Sequence, residues 1–118
     1  MRVPVVQNSA GQPIEATAVA PAGFAYETVA ASQTAQILGP IGAVGDYLSH
    51  ILIQPATTSP GNVIVLDGAT TVFTFTGGAT SVTSLTPITV PFLTNSASGA
   101  WKITTGTNVA VVGVGSFT

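Results

Sequence analysis

The sequence predicts an all-β protein, an antiparallel β-sandwich or jelly-roll-like barrel that carries an extended N-terminal arm. Three observations predict it. In the second part of the chain, apolar residues alternate with polar ones, mostly threonines, at a period of two, as in half-buried strands. Glycine, asparagine, aspartate and proline punctuate these runs at the short intervals of antiparallel architectures. The first part shows neither pattern and carries Pro4, Pro13 and Pro21. At 118 residues the chain is one domain's worth. The composition divides it into an arm and first strand over 1–45 and a β-sandwich domain over 46–118.

Residues 1–25 have no convincing period and read as extended. Residues 26–38 are ambiguous, because Thr28, Val29 and Thr34 are β-branched while the alanines and glutamines between them tolerate helix. A strand over about 32–38, joined to the sheet, fits best. The glycine-rich stretch 39–45 lacks the Lys-Ser or Lys-Thr and the following helix of a phosphate loop, so it reads as a flexible linkage.

In the domain, residues 47–54 form the first strand pattern, and Ser59-Pro60-Gly61-Asn62 closes the gap after it. Residues 63–66 and 109–114 are apolar on both faces and read as strands covered on both sides. Asp67-Gly68 is a two-residue hairpin signal. Phe73 and Phe75 alternate with Thr74 and Thr76; Ile88, Val90 and Phe92 alternate with Thr89 and Pro91; Trp101 and Ile103 alternate with Lys102 and Thr104. Gly77-Gly78, residues 95–99 and Gly106-Thr107-Asn108 separate these runs. About six strands follow.

Charge narrows the function. The ionic side chains are Arg2, Glu15, Glu27, Asp46, Asp67 and Lys102, with a formal net charge of −2. They are 5% of the chain, where about a quarter is typical. Two basic residues form neither a nucleic-acid footprint nor a polybasic membrane patch. With no cysteine there is no disulfide framework, thiolate metal site or thiol nucleophile. Val3-Pro4-Val5-Val6 is cut off by Gln7, Asn8 and Ser9, so no signal peptide is expected.

The chemically interesting residues each have a structural reading. His50, the sole histidine, falls on the side of Leu48 and Leu52. A general base would need Asp46 or Ser49 beside it, but an extended strand holds Asp46 about 13 Å away. It reads as a partly buried or interfacial imidazole. Asp46 and Asp67 adjoin glycines and read as turn residues rather than calcium ligands. Tyr47 and Trp101 could stack on a sugar, but most of the eight aromatics follow the strand period and read as core. We therefore expect no enzyme, no catalytic residue, no cofactor and no metal.

What remains is association. Edge strands need closing or covering, and Lys102 is the only lysine available to blunt one. An arm of about 45 residues can reach over roughly 100 Å, with Val5, Val6, Ile14, Phe24 and Tyr26 as its candidate partner contacts.

Gly45-Asp46-Tyr47-Leu48, then Ile51-Leu52-Ile53-Gln54-Pro55-Ala56-Thr57-Thr58-Ser59-Pro60-Gly61-Asn62-Val63, Leu66-Asp67-Gly68 and Gly99-Ala100-Trp101-Lys102-Ile103-Thr104-Thr105-Gly106-Thr107-Asn108-Val109 resemble small virion proteins of tailed bacteriophages. The resemblance covers roughly residues 45–117 and is most like the head decoration, or cement, proteins. It implies a sandwich or jelly-roll-like body that reinforces contacts between major capsid subunits. The implied partners are the major capsid protein and the chain itself, as a homotrimer or dimer, with no nucleic acid and no membrane. The implied location is the capsid surface, after synthesis in the host cytoplasm. The alternative is a tail or fibre-associated module that recognises a host-surface glycan through Tyr47 or Trp101. A small-ligand barrel would require an interior not filled by Phe73, Phe75 and Phe92.

Overall fold

The computed structural model describes residues 24–118. They form eight strands: β1 (Ala25–Val29), β2 (Gln36–Ile37), β3 (Tyr47–Pro55), β4 (Val63–Asp67), β5 (Thr70–Phe75), β6 (Ile88–Asn95), β7 (Trp101–Thr105) and β8 (Val109–Ser116). Two four-stranded antiparallel sheets, ordered β1-β8-β3-β6 and β2-β7-β4-β5, pack as a sandwich. Only the β4–β5 hairpin stays within one sheet; every other connection crosses to the opposite one.

The period-two runs explain the core. Val63 and Val65 of β4, Ile103 of β7, Val109 and Val111 of β8, and Leu48, Ile51 and Ile53 of β3 point inward and are buried. Burial of this apolar surface, at about 25 cal/mol per Å², is the main force holding the sheets together. Strands β4 and β8, apolar on both faces, are interior strands of their sheets. Their outward residues Ile64, Leu66, Val112 and Val114 are half-buried between flanking strands. Lateral neighbours thus supply part of the cover that their sequence calls for.

The N-terminal part departs from its expected layout. Residues 25–29 form a full edge strand, with Tyr26 opposite Val114 and Val29 opposite Val111. The strand expected over 32–38 shrinks to Gln36–Ile37, because Ser32 (φ 62°) and Ala35 (φ 47°) adopt left-handed conformations that break an extended ladder. The stretch 39–45, expected as a loose linkage, is tied down. Ile41 and Gly42 donate backbone N–H groups to the Thr118 carbonyl, and Gly45 donates to Ser96. Residues 25–37 therefore contribute one edge strand to each sheet of the sandwich.

The two flanks are finished differently. At the β1–β2 flank, Val29 and Leu38 are fully buried. The Glu27 carboxylate accepts from the Gln36 side chain at 2.9 Å and from the Gly39 N–H at 3.3 Å. At the β5–β6 flank, Phe73 meets Phe92 edge-on at 5.8 Å, and Phe92 meets Trp101 at 6.1 Å.

Candidate interaction surfaces

The outward face of the β1-β8-β3-β6 sheet follows from the registers. Tyr26 pairs with Val114, Val114 with His50, and His50 with Pro91, so these four form one row across the sheet. Thr28, Val112, Leu52 and Thr89 form the next row. No residue in either row carries a formal charge at neutral pH with His50 neutral. Tyr26 is 73% exposed, and Pro91, Thr28 and Thr89 are exposed too, while the interior members are half-buried. Phe24 is 56% exposed and lies against the Tyr47 ring at 5.5 Å, at the point where the described chain begins.

Of the expected arm contacts, Phe24 and Tyr26 border this face, whereas Val5, Val6 and Ile14 lie outside the described residues. His50 lies in the first row. A bulge between Leu48 and His50 turns Leu48 into the core while His50 stays out with Leu52, correcting the shared side inferred from spacing. The bulge places the Ser49 hydroxyl 3.1 Å from His50 Nδ1.

Asp46 does not join that pair in any hydrogen bond. Its carboxylate accepts from the Ala43 N–H at 3.0 Å and from the Thr118 N–H at 3.1 Å and hydroxyl at 3.0 Å. Asp67 is likewise engaged. It accepts from the N–H groups of Ala97, Ser98 and Gly99 at 2.8, 2.9 and 3.2 Å. Burial alone would raise its pKa; the three backbone donors outweigh burial and hold the carboxyl below the usual aspartate range. Asp46 thus staples its own turn through Ala43 and ties it to the distant Thr118. Asp67 corrects the turn reading: it ends β4, paired with Thr70, the turn itself is Gly68-Ala69, and its carboxylate staples the distant 97–99 loop.

Trp101 is 2% exposed, and its indole N–H is bonded within the protein. It has no ring face to offer a sugar, which removes it from the glycan reading. Phe73, Phe75 and Phe92 pack against the core. A shallow cavity of about 470 Å³ beside β6 is walled by small and apolar residues between Ser81 and Ile88, with no titratable side chain.

No protein family, curated protein or solved structure matches this chain.

The outward rows were not foreseen as a unit. Their signal was the outward apolarity of residues 109–114, which became a surface only once β1 and β3 were known to flank β8.

Proposed function

We propose that this chain is a structural virion component, a head decoration protein that attaches to a phage capsid and reinforces contacts between major capsid subunits. The observation that carries this reading is the uncharged outer face built on Tyr26, Val114, His50 and Pro91, bordered by the place where residues 1–23 join the sandwich. A neutral surface rich in β-branched and ring side chains suits burial against protein, since it loses little hydration and leaves no charge unpaired.

The use of the carboxylates supports the same reading. Glu27, Asp46 and Asp67 are each hydrogen-bonded to groups of their own chain. Attachment by burial contributes roughly 25 cal/mol per Å² of apolar area, and many symmetry-related copies would add avidity. That binding energy would oppose outward pressure on the shell.

The test is co-sedimentation of the full-length chain with empty shells of the major capsid protein from the phage that encodes it. Binding that saturates at a fixed number of copies per shell, and that raises the temperature at which shells rupture, is the expected result. A chain left entirely in the supernatant overturns the proposal.

A further inference from the structure

With His50 neutral, Lys102 is the only cationic side chain among the described residues. It stands on the outer face of the β2-β7-β4-β5 sheet, half-buried in one row with Ile37, Leu66 and Thr71. Thr104, Ile64 and Thr74 form the next row. Ile37 is 40% exposed. A lysine on a sheet commonly blunts an edge. This one is on β7, an interior strand, where no edge calls for it.

Three of the chain's four side-chain carboxylates are committed elsewhere. Glu27 accepts from Gln36 and Gly39, Asp46 from Ala43 and Thr118, and Asp67 from residues 97–99. Asp67 follows Leu66 in sequence, but strand alternation turns it to the buried side, away from Lys102. The fourth carboxylate is Glu15, nine residues before Phe24.

The reach is sufficient. Phe24 leads into β1, which shares a flank with β2, and the Glu27–Gln36 bond of 2.9 Å ties those two strands across the sandwich. From β1 to Lys102 the chain must cross one sheet separation of about 10 Å and one strand spacing of about 5 Å. Nine extended residues cover about 30 Å. The sequence around Glu15 suits the face as well. Ile14 is apolar, and Ala16-Thr17-Ala18-Val19-Ala20 is small and neutral, so it can lie close to the sheet without burying an unpaired charge.

We propose that residues 13–20 of the chain's own N-terminal segment dock on the outer face of the β2-β7-β4-β5 sheet, with Glu15 paired to Lys102 and Ile14 covering Ile37 and Leu66. The tether favours this occupant over a carboxylate from a second copy, because a short linker holds Glu15 at an effective concentration in the millimolar range. The face is the opposite one from the rows of Tyr26 and His50. The inference therefore goes beyond the decoration reading and does not depend on it.

The experiment is zero-length carbodiimide coupling of the unmodified full-length chain, which joins a carboxylate to an amine only where the two are in contact. Lys102 is the sole lysine, so fragment masses identify its partner directly. The expected product is a Glu15–Lys102 amide within one chain, formed in a yield independent of protein concentration and reduced at high salt. Absence of that amide overturns the proposal, and so does coupling of Lys102 to Glu27, Asp46 or Asp67. A Glu15–Lys102 amide found only in covalent dimers would assign the segment to a second copy and overturn it too. Cleavage by thermolysin within residues 14–20 gives a second reading. It should quicken about fivefold in Lys102→Gln and return toward the parent rate in Glu15→Lys/Lys102→Glu. Equal rates in the parent and a folded Lys102→Gln overturn the proposal. If Lys102→Gln misfolds, the coupling of the parent chain decides alone.

Discussion

The indole Nε1 of Trp101 donates a hydrogen bond to the backbone carbonyl of Asp46 at 2.8 Å, fully buried. Trp101 opens β7 in one sheet and Asp46 immediately precedes β3 in the other, so the bond clamps the two sheets at one end of the sandwich. The Ser96 N–H donates to the same carbonyl at 2.8 Å, bringing the β6–β7 loop into the clamp. Trp101→Phe removes the indole donor and leaves unfilled volume against Phe92. It should cost about 1–3 kcal/mol. The chain's only tryptophan is lost in the variant, so urea unfolding should be followed by circular dichroism. An unchanged midpoint and slope would show that the clamp contributes nothing.

Asp67 makes stability depend on pH. Its carboxyl titrates lower in the folded protein than its ordinary value of 3.8, through the three donors of residues 97–99. The unfolded chain therefore takes up the proton first as pH falls. The stabilisation is fully present above the ordinary value, declines as pH drops from there through the depressed native value, and is gone below it. Asp67→Asn should be less stable at neutral pH by about 1–3 kcal/mol and should show a flatter acid limb. Chemical denaturation across the acid range measures both; parallel acid limbs for the two proteins would refute the assignment.

Gly61 and Gly106 mark a crossing of loops at the other end. A Cβ on Gly61 would lie 2.8 Å from the Gly106 Cα and 2.8 Å from the Thr107 nitrogen. The backbones are bonded at that point, Gly61 N–H to Thr107 O at 2.7 Å and Gly106 N–H to Asn62 O at 2.8 Å. Backbone atoms have no rotamer to move away. Gly61→Ala should therefore separate the β3–β4 and β7–β8 loops and cost about 1–3 kcal/mol, read as a lower thermal midpoint. Gly78→Ala is the control for space: it meets nothing within 4 Å, although its φ of 139° adds backbone strain.

Strands β3 to β8 were legible because their side chains alternate or run apolar between clear turn signals. Strand β1 was not, since Ala25-Tyr26-Glu27-Thr28-Val29 has little period of its own and owes its extension to the register with β8. Its two halves also do different work: Val29 is buried while Tyr26 stands in solvent. The orientation of His50 was out of reach for another reason. A bulge at Ser49 leaves no trace in composition, yet it reverses which residues share a face. The neutrality of residues 68–101 was plain in the sequence. That β5 and β6 form a flank became visible only after the crossing connections placed them on opposite sheets.

Tyr26 separates attachment from stability. Its ring is 73% exposed on the outer face beside Val114, while Val29, three residues on in the same strand, is fully buried against the core. Tyr26→Lys leaves the ladder to β8 intact and should shift folding stability by no more than about 0.5 kcal/mol. It also sets a charge at the β1 end of a neutral row. Burying that ammonium against a partner without a matching carboxylate strips its hydration uncompensated, so shell binding should fall steeply. Val29→Ala should do the reverse, lowering stability by about 1–3 kcal/mol while the folded fraction still binds. Thermal unfolding and shell co-sedimentation of the two variants, run side by side, decide the matter. If Tyr26→Lys binds shells as the parent chain does, the attachment surface lies elsewhere on the molecule.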